Sequence, residues 1–254
     1  MSGGVRAVWS DATAGDLRPT APDRAGNLLR FAGDVTGPGR AVDELHWLEQ
    51  VHGRGVVVVE AAGGRGQGGT SIRGAADGTG DALVSASSSV ALCVLVADCA
   101  PVALASPEGV FAAVHAGWRG LADGVVGAAA DAMSALGASN IEAALGPCVH
   151  PCCYEFSEAD LAGLVEAFGP EVRGWTAAGR PALDLPTAVG AALAAAGVTM
   201  ADKVDRCTGC GGGLFSHRVR AEPERQVLIV WRGACAGAGA GADAADAGAD
   251  AVGW

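Results

Sequence analysis

Residues 90–120 read VALCVLVADCAPVALASPEGVFAAVHAGWRG, and they decide the fold because reactive side chains stand here between strongly apolar runs. Val90–Ala97, Val102–Ala105 and Val110–Val114 each have the length and composition of a buried strand. The last two runs are separated by Ser-Pro-Glu-Gly, a sequence typical of turns. The segment therefore predicts a buried strand followed by a β-hairpin.

This hairpin is predicted to bring a thiol and an imidazole to one end of the sheet. We predict that Ala105 pairs with Val110. In that register Ala100 lies opposite His115, and Cys99 is its diagonal neighbour at about 5–8 Å. Taken alone, the cysteine could be a small core residue and the histidine a hydrogen-bonded strand end. Their position where strands open into a glycine-rich loop favours a functional pair.

The composition favours a small-molecule partner. The chain has 254 residues, of which 50% are hydrophobic, so it can bury a sizeable core. A formal net charge of -11 argues against nucleic-acid binding, which depends on clustered Lys and Arg. No apolar run approaches the roughly 20 residues of a membrane span, and no signal peptide is recognisable. We therefore expect a cytoplasmic protein without membrane contact.

Three helical patterns lie among at least six predicted strands. The helices are predicted over Leu121–Leu136, after a capping Ser157, and over Pro186–Ala196. Further strands are predicted at Val5–Trp9, Gly55–Glu60, Ile141–Leu145 and Val227–Trp231, with loops over most of the first 44 residues. This pattern indicates an α/β (α+β) sandwich of mixed sheets with a central hairpin, flanked by helices.

The chain is predicted to form one domain over residues 1–233. Residues 234–254 are rich in Ala, Gly and Asp, and we expect them to be disordered and dispensable. No Gly-x-Gly-x-x-Gly or P-loop motif stands at a strand-to-helix junction, which excludes those modes of nucleotide-phosphate binding.

Eight cysteines suggest metal binding or catalysis rather than disulfides in a cytoplasmic chain. Cys207 and Cys210 have the spacing of half a structural zinc site, and Cys148, Cys152 and Cys153 could supply the rest. Such a spacing without a second pair also arises by chance.

A different metal site is predicted from three separate strand ends. His52, Cys99 and His115 offer a nitrogen, sulfur and nitrogen ligand set, and three protein ligands leave the open position of a catalytic zinc. The same residues fit a second hypothesis, in which Cys99 is a nucleophile and His115 its base. Bound metal would distinguish the two, because a zinc-ligated thiolate is not free to attack.

Several segments, in this order, resemble the bacterial proteins labelled multicopper polyphenol oxidases or laccase-domain proteins, later understood as purine nucleoside phosphorylases with adenosine deaminase activity. The segments are WLEQVHG (47–53), DALV (81–84), ADCAPV (97–102), VHAGWRGLADGVV (114–126), LGPCVHPCCYEF (145–156), LDLPTA (183–188), and CTGC with FSHR (207–218). Together they cover most of residues 45–232.

The resemblance implies the family's α/β sandwich and a zinc ion, with copper as the alternative, bound by His52, Cys99 and His115. The implied substrates are adenosine, inosine, guanosine and methylthioadenosine, together with phosphate, in a monomer or weak homodimer. The candidate substrate and phosphate contacts are Arg119, Arg218, Asp81, Asp98 and Glu155. Each arginine could instead bond to backbone carbonyls, and each carboxylate could be a capping or solvated group.

One departure from the family concerns phosphate. Family members open with a Ser-x-Arg-x-Gly-Gly-x-Ser segment, whereas the corresponding Ser10–Leu17 contains no arginine. Arginine side chains and helix N-termini are the usual phosphate ligands. We therefore expect weak phosphate binding, with deamination retained better than phosphorolysis.

The sequence also bears on two other functions, those of a multicopper oxidase and of a protein without enzymatic turnover. A multicopper oxidase needs roughly ten histidine ligands, and the chain has five histidines. Relatives have also been connected with editing of peptidoglycan precursors and cell division, and a degenerate N-terminus would suit a protein without turnover. Nucleoside turnover by the purified protein would exclude a purely structural role.

Overall fold

Two six-stranded β-sheets form the centre of the molecule in the computed structural model, which describes residues 4–36, 44–60, 71–72, 76–233 and 249–254. The strands are β1 Val5–Ser10, β2 Glu44–Trp47, β3 Val56–Val58, β4 Ser71–Ile72, β5 Ala82–Ser85, β6 Val90–Val96, β7 Ala100–Ala105, β8 Phe111–Ala116, β9 Glu142–Leu145, β10 Arg173–Trp175, β11 Pro181–Leu183, β12 Thr199–Lys203, β13 Gln226–Arg232 and β14 Ala249–Gly253. The helices are α1 Arg24–Thr36, α2 Trp118–Asp123, α3 Val125–Ala135, α4 Glu158–Phe168, α5 Leu185–Ala195 and α6 His217–Arg220. Among these residues, no helix has the length and apolar character needed to cross a bilayer.

The two large sheets pack face to face. Their strand orders are β14-β1-β13-β6-β2-β4 and β12-β9-β7-β8-β5-β3, and β10 and β11 form a separate small sheet. Val90, Leu92 and Val94, alternate residues of β6, point into the core between the sheets. Phe111 and Ala113 of β8 fill the same core from the other sheet. The sandwich of mixed sheets with a central hairpin is thereby confirmed.

Helices cover the outer faces of both sheets. The remaining residues of β6, such as Cys93, contact Leu28 and Phe31 of α1. On the other side, Val102 and Leu104 of β7 belong to a core that includes apolar residues of α2, α3, α4 and α5. Because both faces of the central strands are buried, their sequences are continuously apolar rather than alternating.

β7 and β8 form the predicted hairpin, but the predicted register is wrong by one residue. Ala105 pairs with Phe111, and Pro101 rather than its predecessor lies opposite His115. The Ser106 N–H donates to the Val110 carbonyl at 3.0 Å, so the loop is residues 107–109, three residues instead of the predicted four. Its last residue, Gly109, takes a left-handed conformation with φ of 83°. Three-residue hairpin loops end in such a residue, and it shifts the pairing by one position.

The predicted helix Leu121–Leu136 consists of two helices. α2 begins at Trp118, and the chain breaks at Gly124, where φ is 88°, before α3 begins. A left-handed residue interrupts a right-handed helix. As a result, Arg119 lies within the first turn of α2 and not ahead of it.

The other two predicted helices are confirmed. Ser157 Oγ caps α4 by accepting a hydrogen bond from the Asp160 N–H at 3.1 Å. α5 begins one residue before Pro186, and the Asp184 side chain caps it through the Thr187 N–H at 3.0 Å. These short polar side chains satisfy backbone donors that have no partner inside the helix.

The N-terminal segment contains more structure than predicted. β1 is confirmed, but the predicted loops include α1, whose Leu28 and Phe31 lie on one face and are buried. Polar and glycine residues interrupt this apolar spacing and concealed the helix in the sequence. Residues 37–43, which belong to the predicted loops, lie outside the described residues.

The prediction of a disordered tail is wrong for its last residues. Residues 234–248 lie outside the described part of the chain, but β14 pairs antiparallel with β1. The Trp254 N–H extends this ladder by donating to the Val5 carbonyl at 3.0 Å. Val252 and Trp254 also pack against the core between the sheets. The exposed edge of β1 offers backbone groups that a further strand can satisfy.

Truncation after Gly233 is therefore expected to lower the melting temperature by several degrees. The deletion removes a strand and two apolar side chains from the core, and each kcal/mol lost lowers the melting temperature by about 2–4 °C at this chain size. Differential scanning fluorimetry measures the shift, with Trp254→Ala as a milder variant. An unchanged melting temperature would show that β14 contributes nothing to stability.

Candidate metal and substrate site

Three side chains predicted as metal ligands meet at one end of the second sheet. His52 lies between β2 and β3, Cys99 in the turn between β6 and β7, and His115 near the end of β8. One ligand atom from each lies within 4.8 Å of the other two. Cys99 Sγ is 3.7 Å from His52 Nε2, and the two imidazole rings meet edge to face with centroids 4.8 Å apart.

Asp81 holds the two histidines of this cluster in position through hydrogen bonds. Its fully buried carboxylate accepts hydrogen bonds from His115 Nδ1 at 2.8 Å and from the N–H groups of His52 and Gly53 at 2.9 and 2.7 Å. These bonds hold His52 at a positive φ of 60°, which is costly for a non-glycine residue. They also occupy Nδ1 of His115 and leave Nε2 as the nitrogen available to a metal.

Asp81 therefore corrects a sequence prediction. It was proposed to contact substrate, but it is buried and does not line the neighbouring cavity. Burial alone would raise its pKa, yet the hydrogen bonds from His115, Gly53 and His52 outweigh that effect and lower the pKa below 3.8. The residue is an ionised partner that positions two ligands.

The electrostatics of the cluster favour a thiolate. Burial alone would raise the pKa of Cys99, but the charge of His115 and hydrogen bonds from both histidines lower it to about 6. For His115, burial lowers the pKa, while the Cys99 thiolate and Asp81 outweigh it and raise the pKa to about 9. The thiol is thus prepared to act as an anion near neutral pH.

The residues present fit a transition-metal ion. Imidazole and thiolate are the ligands that zinc prefers, and a second-shell carboxylate on the histidine is typical of such sites. Gly117 passes close to the cluster, and a Cβ there would lie 2.9 Å from His52 Cδ2 and 3.2 Å from Cys99 Sγ. A glycine at this position keeps the space around the ligands open.

A cavity of about 820 Å³ adjoins the three ligands. This volume lies within the range of small-molecule sites, about 300–1,000 Å³. Besides His52, Cys99 and His115, its lining includes the aromatic side chains of Trp47, Trp118 and Tyr154 and the four arginines Arg18, Arg119, Arg218 and Arg225. Aromatic and basic side chains therefore line the same cavity.

Two predicted arginines have exposed side chains at this cavity. Arg119 stacks on Trp118 with its guanidinium carbon 4.4 Å from the ring centroid, and Arg218 lies 5.0 Å from the centroid of Tyr154. Within the described part of the chain, neither has a carboxylate at ion-pair distance. Both cations are consequently available to an anionic ligand.

Two further arginines, Arg18 and Arg225, line the cavity and were not predicted from the sequence. Arg18 pairs with Asp16 at 2.6 Å, and Arg225 bonds to neighbouring backbone carbonyls, including that of Pro223 at 2.8 Å. Arg18 follows the buried Leu17, which anchors this segment in the core. The N-terminal region thus does bring an arginine to the cavity, although outside the segment in which the family resemblance placed it.

The two remaining predicted carboxylates are placed differently from each other. Asp98 lines the cavity, but its oxygens already accept hydrogen bonds from Thr208 Oγ1, Ser216 Oγ and the Arg218 N–H at 2.6, 2.7 and 2.6 Å. It holds loops together beside Cys99. Glu155 does not line the cavity and forms an exposed ion pair with Arg180 at 2.9 Å, so its predicted contact with substrate is not supported.

The chain belongs to the multi-copper polyphenol oxidoreductase laccase family, whose profile matches residues 26–233. It is 43% identical over 198 residues to a purine nucleoside phosphorylase of Streptomyces griseus, covering 75% of this chain and 76% of that protein. A purine nucleoside phosphorylase of Mycobacterium tuberculosis is 40% identical over 210 residues, covering 82% and 78%. The crystal structure of YlmD from Geobacillus stearothermophilus superposes with a TM-score of 0.69 and 29% identity over 86% of this chain and 82% of that one.

Proposed function

We propose that the protein is a metal-dependent purine nucleoside phosphorylase that also deaminates adenosine. The observation that carries the proposal is one cavity lined by the His-Cys-His cluster, by aromatic side chains and by arginines. The similarity to proteins named purine nucleoside phosphorylases supports it. In phosphorolysis, a phosphate oxygen bonds to the anomeric carbon, the N-glycosidic bond breaks, and the base leaves with a proton.

His52, Cys99 and His115 would hold the metal, and we propose zinc because the ligand set is nitrogen, sulfur and nitrogen. When bound, zinc supplies a Lewis acid and makes water more acidic, which suits the exchange of the adenine amino group for oxygen. Asp81 keeps both histidines in position. Metal analysis of the purified protein separates zinc from copper.

The purine would lie against the aromatic side chains of the cavity. Tyr154 and Trp118 each contact Phe156 edge to face, with centroids 5.3 Å apart, so the two rings are held in fixed orientations. Rigid aromatic faces bind flat heterocycles at little entropic cost. Stacking on these two rings does not depend on the substituents of the purine. This supports a substrate range that includes adenosine, inosine, guanosine and methylthioadenosine.

The arginines of the cavity would bind phosphate. Arg119 and Arg218 lack carboxylate partners within the described residues, and a guanidinium matches two phosphate oxygens at once. Arg18 brings a further guanidinium to the cavity from the N-terminal segment, although it already pairs with Asp16. This finding weakens the argument for poor phosphate binding, which rested on a missing N-terminal arginine.

The proposed activity is tested by incubating purified protein with each of the four nucleosides, with and without phosphate. Chromatography should show free base and ribose 1-phosphate only when phosphate is present, or the methylthio derivative of that sugar phosphate from methylthioadenosine. Inosine should appear from adenosine even without phosphate. The absence of product from all four nucleosides would refute the proposal.

Replacing Arg119 with glutamine is expected to raise the KM for phosphate about 10- to 100-fold, the effect of losing one charged hydrogen bond. Deamination should change little because it needs no phosphate. The matched control is Arg180→Gln, which removes an exposed arginine that pairs with Glu155 away from the cavity. An equal loss of both reactions in the Arg119 variant would show that the residue does not bind phosphate specifically.

The low pKa of Cys99, about 6, favours a second candidate, a hydrolase in which Cys99 attacks the substrate and His115 serves as base. Metal-free protein is expected to be alkylated at Cys99 with a pH midpoint near 6 instead of 9.0, because the thiolate is the reactive form. Added zinc should block that alkylation. Mass spectrometry of iodoacetamide-treated protein measures both effects, and full activity without metal would favour the hydrolase.

A further inference from the structure

Four cysteines outside the cavity converge from two distant loops. Cys152 and Cys153 lie in a short helical turn after β9, and Cys207 and Cys210 lie in the loop between β12 and α6. Their four sulfur atoms lie within 4.8 Å of one another. None of the four is in a disulfide. We propose that these four cysteines bind a second metal ion, a structural zinc.

The sulfur separations match a tetrahedral metal site. Zn–S bonds of about 2.3 Å place neighbouring sulfur atoms about 3.8 Å apart in a tetrahedron. The Cys152 sulfur lies 3.8 Å from that of Cys207 and 3.3 Å from that of Cys210, and the Cys153 and Cys210 sulfurs are 3.5 Å apart. A disulfide bond would require about 2.05 Å. Four thiolates fill the coordination shell, as expected of a structural zinc site rather than a catalytic one.

The surrounding backbone is arranged to accept this cluster. The His150 N–H points at Cys207 Sγ at 3.4 Å, a contact that stabilises a thiolate. Gly209 passes very close to Cys153. A Cβ atom added at Gly209 would lie 2.8 Å from the Cys153 sulfur and 2.7 Å from the Cys153 Cβ. Only a residue without a side chain lets the two loops approach this closely.

A cation holds the loop that carries two of the ligands. The Arg220 guanidinium donates to the carbonyl groups of Thr208, Gly209 and Gly211 at 3.2, 3.4 and 3.2 Å, and also to that of Leu214. Four thiolates and one zinc ion carry a net charge of -2. The Arg220 guanidinium, which also pairs with Glu222 at 3.0 Å, places a positive group beside this loop.

The cluster also explains how the loop supports the cavity. Thr208, which lies between two of the cysteines, donates through Oγ1 to Asp98 at 2.6 Å, and Asp98 precedes Cys99 in the chain. The Thr208 N–H bonds to the Cys148 carbonyl at 3.0 Å. A zinc ion at the four cysteines would thus fix the loop that braces the candidate active site, without contributing a ligand to that site.

The test uses the Cys99→Ser variant, in which the other candidate site has lost its sulfur ligand. Loaded with cobalt(II), this variant should show the intense visible bands and thiolate charge-transfer absorption of a tetrahedral tetrathiolate site. Cys99→Ser combined with Cys210→Ser should lose them. Cys148→Ser in the same background, a neighbouring cysteine outside the cluster, should keep the spectrum.

Metal content provides the second measurement and does not depend on activity. Wild-type protein should release about two zinc ions per chain when a mercurial reagent titrates its thiols, one held by Cys99 and its histidines and one by the four cysteines. This measurement needs no variant to fold, and release of only one ion would count against the second site. Absence of the tetrathiolate spectrum together with free, alkylatable thiols would overturn the proposal. The proposal would also be overturned if the four cysteines formed disulfides in protein purified under reducing conditions with zinc present. Failure of nucleoside turnover alone would leave it intact, because the cluster is separate from the substrate cavity.

Discussion

Cys99→Ser protein is expected to remain folded but to lose metal from the His-Cys-His site. Its rate of nucleoside cleavage should fall by at least about 100-fold. Loss of a residue that merely orients a metal ligand costs roughly 10- to 100-fold, so loss of an anionic ligand should cost more. Cys99 is partly exposed at the cavity, and serine is nearly isosteric, so the fold should survive. Metal analysis and circular dichroism check the two parts separately.

The comparison variant for this experiment is Cys148→Ser, which changes a buried cysteine outside both candidate metal sites. It should retain metal and activity if it folds. A Cys99→Ser protein that is inactive but carries a full complement of metal would contradict the ligand assignment. That result would favour the role of Cys99 as a nucleophile.

Asp81→Asn is expected to weaken metal binding by about 10- to 100-fold and to lower stability. Its carboxylate accepts hydrogen bonds from His115 and from the backbone of His52 and Gly53, and an amide has only one oxygen to accept them. The amide NH2 group would instead face other donors in a fully buried position. Competition with a zinc chelator measures the affinity.

The pH dependence of stability tests whether the ionised Asp81 carboxylate is what stabilises the fold. Because the pKa of Asp81 is lowered on folding, its contribution to stability is fully present above about 3.8 and is lost as the pH falls through the lower folded value. The difference in unfolding free energy between wild type and Asp81→Asn should therefore shrink as the pH falls below about 3.8. It should also shrink as the pH rises towards about 9, because the protonated His115 that Asp81 stabilises then loses its proton.

A second carboxylate–histidine pair supplies the control. Asp77 accepts hydrogen bonds from His46 Nδ1 at 2.9 Å and from the Trp47 N–H at 3.1 Å, and it belongs to neither metal cluster. Asp77→Asn should destabilise the fold but leave metal affinity unchanged. Equal loss of metal in both variants would mean that Asp81 acts through stability alone.

Much of the fold could be predicted because the central strands are buried on both faces and therefore strongly apolar. The pairing of β7 with β8 followed from that pattern, but its register depended on one left-handed residue, Gly109, which a turn of either length could contain. β14 was missed for a different reason. Its residues carry little apolar signal of their own, and the strand exists because β1 offers a free edge.

The candidate site was partly visible in the sequence. His52 and His115 stand at strand ends beside glycines and Cys99 stands between a strand and a proline, which suggested their convergence. The role of Asp81 could not be predicted, because it depends on backbone N–H groups from a loop that is distant in sequence. The approach of Cys152 to Cys210 depends equally on tertiary contacts, since the spacing of a single Cys-x-x-Cys pair does not name its partners.

The position of β1 in its sheet also governs when the protein can fold during synthesis. Both neighbours of β1, β13 and β14, begin at Gln226 or later, although β1 begins at Val5. A ribosome-bound chain that has emerged only as far as α6 therefore presents β1 and one side of β6 as unpaired edges, which promote association with other chains. β1 is made before every other described strand, yet its edges stay unpaired until residues 226–253 have been synthesised.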